Sequence, residues 1–225
     1  MSGNSNAVRS AKASPSRAGL DRRAARRAST RQEIVDAAWQ LAREHGLSGL
    51  SMRDLGDRVG MRAQSVYSYF ASKDEIYDAM FREGYAAFVE RMDDYDPAPG
   101  TDARTSLRLF AHRHFAFCTS DPVRFQLLFL RTIPGFEPSP ESYAVAVRAL
   151  ASIQTTMARF GVTDPDASDL ATAVFTGLTS QQIANDPGGD RWERLIDRAA
   201  DMLLAEVAPH LHDARPESNE DEETR

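Results

Sequence analysis

Residues Ser51–Lys73 read SMRDLGDRVGMRAQSVYSYFASK, and this stretch decides the fold. Leu55 and Val59 lie four apart, which puts them on one face of a short helix. Gly60 interrupts that spacing. Val66 and Phe70 are again four apart, on a second short helix expected from about Arg62 to Phe70. Two short helices joined by a tight glycine-containing turn form a helix-turn-helix. The first helix braces the second, and the second is narrow enough to enter the major groove of DNA. Helical hairpins also occur as plain structure, so the surrounding chain must discriminate.

On the N-terminal side, Thr30 and Glu33 have capping-box spacing and are expected to open a helix. Ile34, Ala37, Ala38 and Leu41 form its apolar stripe, with Trp39 on the flank, and Gly46 ends it. Ser51 caps the next helix with Asp54 at the reciprocal position. Ser72 and Glu75 repeat the signal before a long helix, Lys73 to about Met92, carrying Ile76, Met80, Tyr85 and Phe88. Residues 1–29 have few large apolar groups and are expected to be a disordered basic arm. Arg9, Lys12, Arg17, Arg22, Arg23, Arg26 and Arg27 suit that arm either to phosphates and a minor groove or to life as a solvated tail.

On the C-terminal side, Asp93–Gly100 (DDYDPAPG) reads as a linker. Helical spacing then recurs over 102–119. Asp121-Pro122, Ser139-Pro140 and Asp164-Pro165 each place a cap before a proline at the first helical position. Asp190 with Glu193 is expected to start the last helix, which Pro209 closes. No strand-like alternation or internal repeat occurs. The expected fold is all-α with about nine helices. It comprises a disordered arm (1–29), a helix-turn-helix domain (30–80), a helical domain (81–210) and an acidic disordered tail (211–225).

The chain has 225 residues, 42% of them hydrophobic, enough for one or two compact domains. Residues 1–80 hold 13 Lys/Arg against 9 Asp/Glu, a charge of +4. Residues 81–225 hold 14 against 24, a charge of -10. Only the front half suits a polyanionic partner. The one cysteine, Cys118, excludes an internal disulfide framework and a multi-cysteine zinc site. The N-terminus has no apolar signal region, and no window of about 18 apolar residues occurs. The expectation is a soluble, cytoplasmic protein with no membrane partner.

With these features together, the sequence resembles the TetR family of transcriptional regulators, most strongly over residues 30–80. The resemblance rests on Thr30-x-x-x-Ile34, Gly46-Leu47, Ser51-Met-Arg-Asp-Leu55, Gly60, and Ser65-Val-Tyr-x-Tyr-Phe-x-x-Lys73-Asp-Glu-Ile76. Beyond it the likeness is confined to the helical layout and short stretches such as Phe115 to Phe129 and Phe175-Thr-Gly-Leu178. It implies base contacts near Ala63, Gln64 and Tyr67, phosphate contacts at Ser65, Tyr69 and Lys73, and a base or phosphate contact at Arg53. The residue types agree. Gln bonds adenine edges, Ser and Tyr hydroxyls bond phosphates, and Ser68 shares that polar face. Lys73 lies in a first helical turn, which also favours an anion. One position departs from the family: Arg62 stands where a capping hydroxyl is common. The lost cap costs about 1 kcal/mol, and a cation there is suited to a phosphate or guanine.

Catalytic and metal chemistry find little support. His112 and His114 are two apart on a helix and point to different sides. His210 and His212 have no cysteine nearby. Cys118 and His114 are four apart but lack an orienting third group, and no nucleotide-binding or nucleophile-elbow loop occurs. No enzyme activity and no cofactor are expected.

Leu170, Val174, Leu178, Leu195, Ile196, Ala199 and Met202 exceed what one helix face needs. They either complete the core of one chain or pair two chains. The family resemblance favours a homodimer, which would place two third helices about 34–36 Å apart on a near-palindromic double-stranded DNA operator. Phe110, His114, Phe117, Phe125, Phe129, Tyr143, Met157 and Phe175 are expected either to line a pocket for a small, largely apolar effector or to form ordinary core. The overall expectation is a ligand-responsive repressor. The alternative is a helical interaction or enzyme-like domain whose hairpin is only structural.

Overall fold

The computed structural model describes residues 17–93 and 100–209. Among them are nine α-helices and no strand: α1 (Arg17–His45), α2 (Met52–Arg58), α3 (Ala63–Val66), α4 (Lys73–Asp93), α5 (Ala103–Thr119), α6 (Pro122–Phe129), α7 (Pro140–Ala158), α8 (Pro165–Asn185) and α9 (Ile196–Val207). No described helix is long and apolar enough to cross a membrane.

The expected caps form. Asp121, Ser139 and Asp164 each accept from a backbone N–H in the first turn of α6, α7 and α8, and Asp102, not singled out from spacing, does the same for α5. Ser51 Oγ accepts from Asp54 N at 3.1 Å, and Ser72 Oγ accepts from Glu75 N at 3.2 Å. Glu75 reaches back to Ala71 N (2.8 Å), one residue earlier than a standard capping box. Gly46 adopts φ 74° at the end of α1, a left-handed turn that favours glycine.

Three expectations are corrected. First, Thr30 does not open α1: the helix already runs from Arg17, so residues 17–29 are not a disordered arm. Ala and Arg are strong helix formers, and extending an existing helix avoids the cost of nucleation. Second, α3 is one turn, Ala63–Val66, followed by turn geometry through Tyr69. Third, Asp190 caps nothing. A short 3₁₀ turn, Glu193–Leu195, precedes α9. Buried Gln182 on α8 binds this loop instead, accepting from Trp192 N (2.9 Å) and donating to Gly189 O (3.0 Å). Side chains thereby satisfy backbone groups that a longer helix would have paired. The long helix expected from Lys73 forms as α4 and runs unbroken across residue 80. The remainder of the basic arm, most of the 93–100 linker, His210, His212 and the acidic tail lie outside the described residues.

Packing nevertheless changes at residue 80, the expected domain boundary. Ile76, Tyr77, Ala79 and Met80 of α4 belong to an N-terminal core with Ile34, Ala38, Leu55, Val66 and Phe70. Phe81 and Phe88 belong to a second core with Phe117, Phe125 and Leu128. A third cluster joins α5, α8 and α9 through Ala111, Phe115, Phe175, Ile196 and Leu203. One rigid helix is thus shared by two cores.

Candidate nucleic-acid interface and interior cavities

The helix-turn-helix is held from behind. Val66 and Phe70 are fully buried, as is Leu55 on α2, and each such side chain contributes about 1.5–3 kcal/mol on burial. Gly60 takes φ 70°, the conformation the turn requires. Gly56 allows α2 to lie against the turn: Met61 N donates to Gly56 O at 2.8 Å. A Cβ on Gly56 would stand 2.6 Å from Met61 O and 3.1 Å from Ala63 N.

With Val66 and Phe70 fixed inward, Arg53, Arg62, Gln64, Ser65, Tyr67 and Ser68 are exposed, and Ala63, Tyr69 and Lys73 are half-buried. The nine residues singled out for DNA binding are therefore all open to solvent at least in part. Arg62 occupies the N-cap position of α3 with no side-chain capping bond, so its guanidinium is not committed there. Ser68 Oγ donates to Ser65 O at 2.7 Å. The Lys73 ammonium lies 5.6 Å from the centre of the Tyr77 ring, and Tyr77 in turn donates to Leu47 O (2.5 Å).

Two arginines of α1 complete this element. Arg27 Nη2 donates to Ser68 O (2.7 Å) and stacks 5.0 Å from the Tyr69 ring centre. Arg31 donates to Tyr69 O and lies 4.0 Å from the Phe70 ring centre. Both carbonyls belong to the turn that ends α3, where helical acceptors run out. Arg27, read from sequence as part of a mobile arm, is therefore a brace of the reading element. The signal was its spacing of four from Arg31, legible only once α1 is extended.

Interior space lies in the second half of the chain. An outer cavity of about 370 Å³ is bounded by residues including Phe88, Leu107, Phe110, Met157 and Leu204. A smaller cavity of about 230 Å³, the inner cavity, is bounded by residues including Tyr85, Phe110, His114, Phe129, Tyr143 and Phe175, and it is open to solvent beside exposed Tyr143 and Val147. Phe88, Phe110, Ala149, Ile153 and Ala171 border both. Six of the eight expected lining residues thus border a cavity. Phe117 and Phe125 do not; they pack in the core around Phe88 and Cys118.

Of the residues expected at an interface, Leu170 and Met202 are exposed, at 44% and 65%. Val174, Leu178, Leu195 and Ala199 are half-buried. Ile196 is 0% exposed and packs within the chain, so it is core and not a contact surface.

Two histidines of α5 have defined settings. His112 pairs with Asp197 at 2.8 Å. His114 is buried, and desolvation lowers its pKa to about 4, so it is neutral at physiological pH. Burial pushes the Cys118 thiol up to about 12, which leaves it protonated and a poor nucleophile. No group of three or more metal-ligating side chains occurs among the described residues.

A one-turn polar helix braced by buried apolar side chains, set on a larger helical domain, defines a helix-turn-helix fold of the kind that regulators of transcription use. Comparison with known proteins agrees. Residues 34–80 match the family model described as bacterial regulatory proteins, tetR family. Over that stretch the chain is similar to the TetR family, and the relatives it matches are described as transcriptional regulators. It is 26% identical over 134 residues to the HTH-type transcriptional regulator Rv1816 of Mycobacterium tuberculosis, covering 57% of each chain. It therefore spans little more than half the length of that relative. It is 24% identical over 192 residues to the HTH-type transcriptional repressor Rv1353c of the same organism, covering 80% of this chain and 71% of that one. Among solved structures it is similar to the transcriptional regulator FadR of Bacillus subtilis in complex with stearoyl-CoA. That match has TM-score 0.60 and 21% identity and covers 77% of this chain and 97% of that one.

Proposed function

We propose that this protein is a ligand-responsive repressor that binds a near-palindromic operator as a homodimer and is released by a small, largely apolar effector. The observation that carries the reading is the continuity of α4. One helix packs with the reading element at Ile76 and Met80 and borders both cavities at Phe88. Gln64 and Tyr67 supply base contacts, with Arg53 and Arg62 at bases or phosphates and Ser65, Ser68, Tyr69 and Lys73 at phosphates. Leu170 and Met202, exposed on α8 and α9, support pairing of two chains through those helices. A relative named as a repressor supports the sign of regulation.

Release works by population shift. An effector that prefers a conformer with displaced α4 helices moves the two α3 elements away from the spacing of successive major grooves, about 34–36 Å. Fixed contacts make α4 responsive. Asp78 accepts from Ser139 N (2.6 Å), Ser139 Oγ (3.0 Å) and Ser142 Oγ (2.7 Å), tying α4 to the cap of cavity-lining α7.

The test is fluorescence anisotropy with DNA flanking the protein's own gene, together with sedimentation. A sequence-specific complex of two chains per palindrome is the expected result. A monomer at micromolar concentration that binds all sequences equally would overturn the reading.

A further inference from the structure

His114, on the wall of the inner cavity, carries a buried polar atom that the fold does not use. The cavity wall is drawn from α4 to α8, and its hydroxyls on Tyr85, Ser168 and Thr172 are engaged. Tyr85 Oη donates to Leu128 O (3.1 Å) and Thr172 Oγ1 to Ser168 O (2.8 Å). Ser168 Oγ donates to Pro165 O (3.0 Å) and accepts from Gln154 Nε2 (3.2 Å). His114 differs. Its Nε2 faces Cys118 Sγ at 3.7 Å, but its Nδ1 is buried with no hydrogen-bond partner. The ring sits among Phe88, Phe110 and Phe129, with centroids 5.9, 6.4 and 5.4 Å away. A buried, unpaired ring nitrogen costs about 1–3 kcal/mol, and it marks a place where a ligand's polar group would be paired.

Charge narrows the choice. Among the residues bordering the two cavities, Arg159 on the outer and Asp169 on the inner carry the formal charges. The inner cavity thus has a carboxylate on its wall and no cation. Its histidine is neutral through desolvation. An anionic group placed against the buried His114 ring would be desolvated without a counter-charge, which is strongly unfavourable. A neutral oxygen needs only one hydrogen bond.

We infer that the inner cavity receives the polar end of an uncharged amphipathic effector, an alcohol or carbonyl compound whose one oxygen function pairs with His114 Nδ1 while its hydrocarbon body extends into the outer cavity. The inference rests on the reading that these cavities hold the effector. An alcohol pairs with either tautomer of the imidazole; a carbonyl pairs with the one protonated at Nδ1. The shared border of Phe88, Phe110, Ala149, Ile153 and Ala171 sets the hydrocarbon between apolar walls.

The test titrates the full chain with three probes of matched length, n-decanol, methyl octyl ketone and decanoate, at about pH 7.5, where an unperturbed histidine is also neutral. Binding is read by calorimetry, and the His114 imidazole nitrogen shifts by NMR. Both neutral probes are expected to bind at least about tenfold tighter than decanoate and to move the His114 Nδ1 resonance. His114→Phe is expected to weaken n-decanol by about tenfold, the loss of one buried hydrogen bond. The NMR shift in the unaltered protein decides the matter if that variant fails to fold. Preference for decanoate, or a His114 resonance indifferent to bound n-decanol, would overturn the inference while leaving the effector cavity standing. Failure of all three probes to bind would overturn the inference and count against the cavity reading as well.

Discussion

Gly56→Ala isolates the contact on which the reading element depends. The new Cβ would stand 2.6 Å from Met61 O, 3.1 Å from Ala63 N and 3.3 Å from Arg62 C. All three are backbone atoms, so no side chain can rotate away. Ordinary contact begins near 3.4 Å, so the Met61 carbonyl must retreat by about 0.8 Å. The same segment is tethered by the 2.8 Å bond from Met61 N to Gly56 O, which opposes that movement. Overpacking of this kind costs about 1–3 kcal/mol, against up to about 1 kcal/mol regained from helix propensity. Net destabilisation of about 1–2 kcal/mol is expected in urea unfolding. Operator affinity should fall by about tenfold or more, because α3 begins at the displaced Ala63 and a lost base contact is worth about 1–3 kcal/mol. Gly84→Ala is the control. Its Cβ would meet Leu128 Cδ2 at 3.0 Å, the tip of a flexible side chain, so a change within about 1 kcal/mol and unaltered DNA binding are expected. Gly56→Ala with wild-type stability and wild-type affinity would refute this account of how α2 positions α3.

Other perturbations probe other parts. Arg62→Ala should leave stability within about 0.5 kcal/mol but lower operator affinity and reduce the salt slope by about 1 if a phosphate is lost; anisotropy at several salt concentrations reads both. The pKa of His114 falls from the ordinary 6.5 to about 4 on folding. The unfolded chain therefore binds the extra proton first, and this group erodes stability as pH drops from about 6.5 to about 4, by up to about 3 kcal/mol. Urea unfolding across that window should show a shallower acid slope in His114→Gln than in the wild type. Asp78→Asn removes one acceptor oxygen from three donors. It should cost about 1–2 kcal/mol and raise the effector concentration needed for operator release relative to that needed for binding.

The parts legible in the sequence were those specified by local chemistry. Capping at Asp121, Ser139 and Asp164 depends on a side chain and its own next turn, and each formed as spacing predicts. The helix-turn-helix was legible for the same reason, through Gly60 and the Val66/Phe70 pair. What was not legible depends on distant partners. Residues 17–29 show no apolar stripe, so nothing local announces a helix that continues from α1 and docks Arg27 on Ser68, 41 residues away. Asp190 has every local mark of a cap, yet Gln182 takes over the backbone groups of its loop. Phe117 and Phe129 share a helical-aromatic signature, but only Phe129 borders a cavity, because which aromatic faces space and which fills it is fixed by the neighbouring helices.

The same distinction between local and distant contacts shows where regulation can act. The reading element is tied to the remainder of the chain through few polar links. Asp78 holds the start of α7, and Arg43 on α1 reaches buried Asp121, the cap of α6, at 2.7 Å. Both carboxylates engage the N-terminus of a helix that borders the inner cavity farther along, at Tyr143 on α7 and Phe129 on α6. A molecule that spreads those helices pulls on Asp78 and Asp121 together, hence on α4 and α1. Those are the two helices that carry the brace of α3, through Arg27 and Arg31 on α1 and through Ile76 and Met80 on α4. Because packed cores yield in discrete steps and not continuously, the proposed release would carry small displacements at the cavity to the reading element as a change in its placement. Arg43→Ala should therefore weaken effector-driven release in the same direction as Asp78→Asn while sparing effector affinity. Combining the two should give less than the sum of their effects if both links serve one transition.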